Sequence, residues 1–99
     1  MNYGLTKSEL EQIISVLEKN PEIEIALIFG SRAINNYQVG SDIDLALKGK
    51  INLDIVVKVK AQLEELPLPY FFDVIDYHSI ANCDFKEHID RHGQVIFSH

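Results

Sequence analysis

A chain of 99 residues predicts one domain, 1–99, with room for one modest core. Its 46% hydrophobic content excludes a disordered chain, and no apolar run is long enough to span a bilayer. Nine Lys and Arg stand against 15 Asp and Glu, a formal net charge of −6, which argues against a bare nucleic-acid surface.

The opening residues, Met1-Asn2-Tyr3-Gly4, have neither the basic nor the apolar region of a signal peptide. Cys83 is the single cysteine, so no intramolecular disulfide is possible. Both points favour a cytoplasmic location. Thr6-Lys7-Ser8-Glu9 reads as a capping box, with Leu5 and Leu10 as a hydrophobic staple. Leu10, Ile13, Ile14 and Leu17 continue at helical spacing until Asn20-Pro21 stops the helix. Residues 23–29 form a β-prone run ending at Gly30, and residues 31–36 suggest a short helix. A turn at Gly40 precedes a second strand over 42–47. Leu53, Val56, Val57, Leu63 and Leu66 suggest a second long helix, ended by Pro67 and Pro69. Residues 70–76 form a third strand. Asp84-Phe85-Lys86-Glu87 repeats the capping-box pattern before a helix that closes at Gly93. Residues 94–97 form a short extended tail. The expected fold is α/β (α+β), with helices flanking a three-stranded mixed sheet in the order α-β-α-β-α-β-α.

Side chains at i and i+2 of a strand share a face, so Asp42 and Asp44 point the same way. Adjacent carboxylates repel unless a proton or cation intervenes, and hard oxygen ligands suit magnesium or manganese. The short link between strands one and two favours antiparallel pairing. That sets Gly30-Ser31 beside Asp42. The helical link to strand three permits a parallel crossover, which brings Asp73 to the same sheet edge. Gly30 lets the backbone approach a phosphate, and Ser31 opens a helix whose free N–H groups attract an anion. Asp42, Asp44 and Asp73 can hold two ions about 3.5–4 Å apart across an in-line displacement. Asp73 can also assist deprotonation of the attacking hydroxyl.

Gly30-Ser31, the ten residues 32–41, and Asp42-Ile43-Asp44 together resemble the Gly-Ser, ten-residue, Asp-x-Asp signature of the polymerase-beta-type nucleotidyltransferases. Phe72-Asp73-Val74-Ile75-Asp76 resembles the strand that carries the family's third acid, with Asp73 at the matching position. The resemblance implies a nucleotidyltransferase fold with ATP as substrate. The chain's small size makes it similar to the stand-alone minimal nucleotidyltransferases. These are often antitoxins paired with a helical HEPN-domain toxin, and some transfer AMP to a tyrosine of that partner. The resemblance therefore implies AMP transfer to a HEPN-type partner. A non-catalytic antitoxin that acts by covering its toxin is the alternative. Transfer to an RNA end is disfavoured by the charge.

Other readings bear on individual residues. Asp42 and Asp44 alone would pass for ordinary surface charges at a strand end. Asp76 competes with Asp73 but should face the other side of its strand. Arg32 is a candidate phosphate contact or, preferably, a counter-charge for the acidic cluster. Ser41 is a candidate triphosphate contact, although a turn residue needs no function. His88 and His92 lie one helical turn apart, but zinc lacks further convincing ligands. Tyr70, Phe71 and Phe72 read as core and edge packing rather than a base-stacking platform.

Overall fold

The first long helix forms where the capping signal stands. In the computed structural model, which describes residues 3–34 and 41–99, α1 spans Lys7–Glu18. Thr6 Oγ1 accepts from the Glu9 N–H at 3.1 Å, and Glu9 Oε1 accepts from the Thr6 N–H at 2.8 Å. The capping box is thus complete. Ile13, Val16 and Leu17 are buried, together with Leu5 at the helix entry. The remaining elements are β1 (Ile23–Phe29), β2 (Ile43–Gly49), α2 (Leu53–Glu64), β3 (Phe72–Asp76), α3 (Cys83–His92) and β4 (Gln94–Ser98). Short 3-10 turns at Gly30–Arg32 and Tyr77–Ser79 follow β1 and β3.

The sheet order is β3-β2-β1-β4. β1 pairs antiparallel with β2, and β2 pairs parallel with β3, as the link lengths predict. Among the described residues, the sheet has four strands rather than three. The tail becomes β4, antiparallel to β1, and extends the expected order by one strand. The physical reason lies in β1. Its residues 26–29 are all buried, and a central strand needs partners for both rows of backbone groups. Phe97 of β4 turns into the core.

Two further expectations change. The short helix over 31–36 is a 3-10 turn over Gly30–Arg32, and residues 35–36 and the Gly40 turn lie outside the described residues. α3 is capped by Asn82, whose side chain accepts from the Phe85 N–H at 3.0 Å. Asp84 falls in its first turn, where a carboxylate complements the helix dipole.

Strand alternation divides the core. Ala26, Ile28, Ile43, Leu45, Leu47, Phe72 and Val74 pack in the larger cluster with α1 and α2. Leu27, Phe29, Ala46 and Tyr77 pack with Ile89 of α3 on the other face. The Tyr77 hydroxyl donates to Asp90 and pins α3 to that face. Among the described residues, no helix is long and apolar enough to cross a membrane.

Candidate active site

The end of β1 and the starts of β2 and β3 meet at one edge of the sheet. Asp44 stands opposite Phe29 in the antiparallel register and beside Asp73 in the parallel one. Asp42, two residues before Asp44, projects to the same side. This is the α3 side, since Ala46 follows Asp44 at the same phase and packs against that cluster. Asp42 and Asp73 are exposed, while Asp44 is half-buried.

The electrostatics follow from this placement. Burial first, then the charges of Asp73 and Asp42, raise the Asp44 carboxyl above its usual range. The Arg32 guanidinium opposes that shift. Gly30 occupies the left-handed region, φ +75°, where L side chains are strained. A Cβ there would also collide with Asp44 Oδ2. The glycine therefore leaves open the space over the Asp44 carboxylate. Ser31 sits in a turn of three residues. So short a turn presents individual N–H groups rather than the dipole of a full helix.

Arg32 is turned inward and is only 2% exposed. Its Nε donates to the carbonyls of Ser41 (3.2 Å) and Asp42 (3.3 Å), and Nη2 donates to Ser41 O (2.6 Å). Nη1 donates to Tyr3 O at 2.9 Å. The guanidinium also lies 4.9 Å from the centre of the Tyr70 ring. Tyr70 in turn donates its hydroxyl to the Glu9 carboxylate at 3.1 Å. Arg32 thus acts as a strut that fixes the backbone entering β2. Ser41 is half-exposed, with its carbonyl committed to Arg32.

Asp76, the competitor of Asp73, accepts from the His78 N–H at 3.0 Å and so caps the second 3-10 turn. The aromatic trio separates. Phe72 is buried at 3%, Tyr70 supports Arg32, and Phe71 is 74% exposed. Phe71 thus departs from the packing role expected of the trio. Alternation already sets it on the face of Asp73, two residues on.

The donor set suits a hard divalent cation. Three carboxylates share one face, Asp44 is destabilised by their charges, and Gly30 leaves its oxygen accessible. Among the described residues, however, no three His, Cys, Asp or Glu side chains converge closely enough to close a metal site unaided. An ion that draws part of its shell from phosphates, as magnesium does, needs no closed cage. His88 and His92 lie with ring centres 5.0 Å apart, tilted by 51°, and gain no third ligand among the described residues.

Known proteins supply an independent comparison. No curated protein matches the sequence. Three of the similar solved structures contain toxin–antitoxin pairs. One is a toxin–antitoxin with AMP-PNP, at TM-score 0.75 and 22% identity, covering 91% of this chain and 73% of that one. Another is the MntA–HepT toxin–antitoxin, at TM-score 0.71 and 20% identity, covering 95% and 74%. The third is a tri-AMPylated Shewanella oneidensis HEPN toxin with its MNT antitoxin, at TM-score 0.71 and 18% identity, covering 96% and 74%. At these identities the likeness establishes the fold. The profile described as "Polymerase beta, Nucleotidyltransferase" matches residues 11–99. It runs from the second turn of α1 through β4 and leaves no strand of the site outside it, so the chain belongs to the polymerase beta nucleotidyltransferase family.

Proposed function

We propose that this chain transfers AMP from ATP to a tyrosine hydroxyl of a HEPN-type toxin, as the antitoxin of a cytoplasmic toxin–antitoxin pair. The observation that carries the reading is the register of β2 and β3. It sets Asp44 beside Asp73, with Asp42 on the same face and Gly30 leaving the approach open. The structural neighbours that hold AMP-PNP and an AMPylated HEPN toxin support the choice of nucleotide and acceptor.

Magnesium or manganese, held by Asp42, Asp44 and Asp73 with phosphate oxygens, would neutralise charge on the triphosphate and on the leaving group. The chain's own residues supply position. Gly30 and Ser31 offer backbone N–H groups to the phosphates, while Arg32 holds the Ser41–Asp42 backbone at the entry to β2. Ser41 borders that cradle. The acceptor oxygen forms its bond to the α-phosphorus. The bond from that phosphorus to the oxygen bridging to the β-phosphorus breaks, and pyrophosphate departs. Asp73, exposed at the outer side of the site, takes the hydroxyl proton.

Incubating the HEPN-type partner with this chain, ATP and magnesium tests the reading by mass spectrometry. The expected result is a partner heavier by one or more AMP groups. An unmodified partner in a stable complex would instead support the second reading, a non-catalytic antitoxin.

A further inference from the structure

Phe71 is a large aromatic ring, 74% exposed, on a chain that buries Tyr70 against Arg32 and Phe72 in the core. Its backbone is not loose. The Phe71 carbonyl accepts from the Ile43 N–H at 2.9 Å, which fixes it one position before the Ile43–Phe72 pair of the parallel ladder. Alternation then directs its side chain to the face of Asp73, two residues later. Phe71 and Asp42 are the residues that immediately precede the first pair of that ladder. An exposed apolar ring costs solubility, and a single one is ordinary. One held rigidly at the mouth of a carboxylate site is a contact point in waiting.

Sheet order decides what it contacts. Gly30-Ser31, which would cradle phosphates, lies at the end of β1, on one flank of Asp42 and Asp44. Phe71 lies on the opposite flank, beyond β2 and at the outer edge of the sheet, because β3 is the edge strand. In-line displacement sets the attacking oxygen and the leaving pyrophosphate on opposite sides of the phosphorus. The group that attacks must therefore come from the flank away from the phosphate cradle. We propose that Phe71 is the acceptor-side contact of this site, a ring against which the aromatic side chain of the acceptor protein packs as its hydroxyl reaches Asp73. This rests on the nucleotidyl-transfer reading above and adds to it the residue that selects a phenolic acceptor. Aromatic pairs favour offset or edge-to-face contact, which orients a phenol without a hydrogen bond to the ring.

The test uses the full chain, its HEPN-type partner and ATP with magnesium. Calorimetry measures AMP-PNP·Mg affinity, and steady-state transfer measures kcat and the acceptor KM for wild type, Phe71→Ala and Phe71→Tyr. Phe71→Ala should raise the acceptor KM by about tenfold, with AMP-PNP affinity within twofold of wild type and kcat nearly unchanged. Phe71→Tyr should restore the KM. A wild-type KM in Phe71→Ala would overturn the assignment while leaving nucleotidyl transfer intact. A tenfold loss of AMP-PNP affinity would overturn it in favour of base stacking. Absence of transfer by the wild type, with AMP-PNP still bound, would overturn the parent reading and the assignment together. Because Phe71 is exposed, its truncation should leave the fold in place, and an unchanged Tm confirms that each variant is folded.

Discussion

Asp44 carries the conflict on which the site depends. Its carboxyl is raised by burial and by Asp73 and Asp42, so the folded chain holds that proton more tightly than the unfolded chain does. The stabilisation from this group is fully present below its unfolded pKa. It is lost as pH rises through the higher folded value. Where it is ionised and no metal is bound, Asp44 is therefore a charge the fold tolerates rather than uses. Asp44→Asn should raise Tm in chelator by a few degrees at pH about 7, with the gain shrinking toward pH about 4. The same substitution should abolish the effect of magnesium on ATP affinity. In the wild type that affinity should weaken as pH falls through the raised pKa, because a metal needs the deprotonated ligand. Calorimetric titration and thermal melts across that range check both. A large fall in Tm would show instead that Asp44 holds the fold together. Arg32 behaves in the opposite way. Its loss leaves the Ser41, Asp42 and Tyr3 carbonyls without these donors. Arg32→Ala should cost roughly 2–4 kcal/mol in urea denaturation, and Arg32→Lys should recover only part of that. The sequence shows a cation near an acidic cluster. It does not show that the cation is consumed by backbone carbonyls, because those carbonyls come from residues 9 and 10 positions later and from Tyr3, 29 positions earlier.

At the scale of elements, legibility followed locality. α1 could be read to its cap because the whole signal lies in residues 6–9 and both hydrogen bonds form within it. β1 is readable because residues 25–29 are apolar without a break and Gly30 ends the run. β4 was visible only as a tail. Gln94–Ser98 is mostly exposed, with Phe97 its one buried side chain, so neither length nor alternation announces a strand. What makes it one is β1, more than sixty residues away in sequence and paired from Ile25 with Ser98 to Ile28 with Gln94. The cap of α3 was misplaced for a related reason. Asn82 and Asp84 both suit an N-cap, and only the backbone path out of the Tyr77–Ser79 turn selects the first. If β4 is integral to the sheet, Phe97→Ala should destabilise the domain by about 3 kcal/mol, measured as a shift in urea midpoint at constant m-value. A change under about 0.5 kcal/mol would mean that the strand is an ornament to a three-stranded fold.

Across the whole molecule, the two faces of the sheet divide labour. α1 and α2 cover one face with the larger core, and Arg32 and Tyr70 brace the site from that side. α3 covers only part of the other face and leaves the edge with Asp42, Asp44, Asp73 and Phe71 open. A net charge of −6 works against a nucleic-acid acceptor at such an edge, whereas a divalent cation lets a triphosphate approach. A protein acceptor can instead gain affinity from apolar and aromatic contact beyond the carboxylates. Binding and chemistry should then be separable, because Asp73 would act on one proton whereas docking would draw on the wider surface. Asp73→Asn keeps the shape of the side chain and removes the carboxylate proposed as base and metal ligand. It should reduce AMP transfer to the HEPN-type partner by at least a hundredfold and change the Kd of the complex by less than threefold. Co-expression followed by mass spectrometry of the partner, with Kd measured by calorimetry on unmodified protein, distinguishes the two effects. Equal modification by wild type and Asp73→Asn would remove Asp73 from the chemistry. A variant that no longer binds the partner would show that the carboxylate belongs to the docking surface.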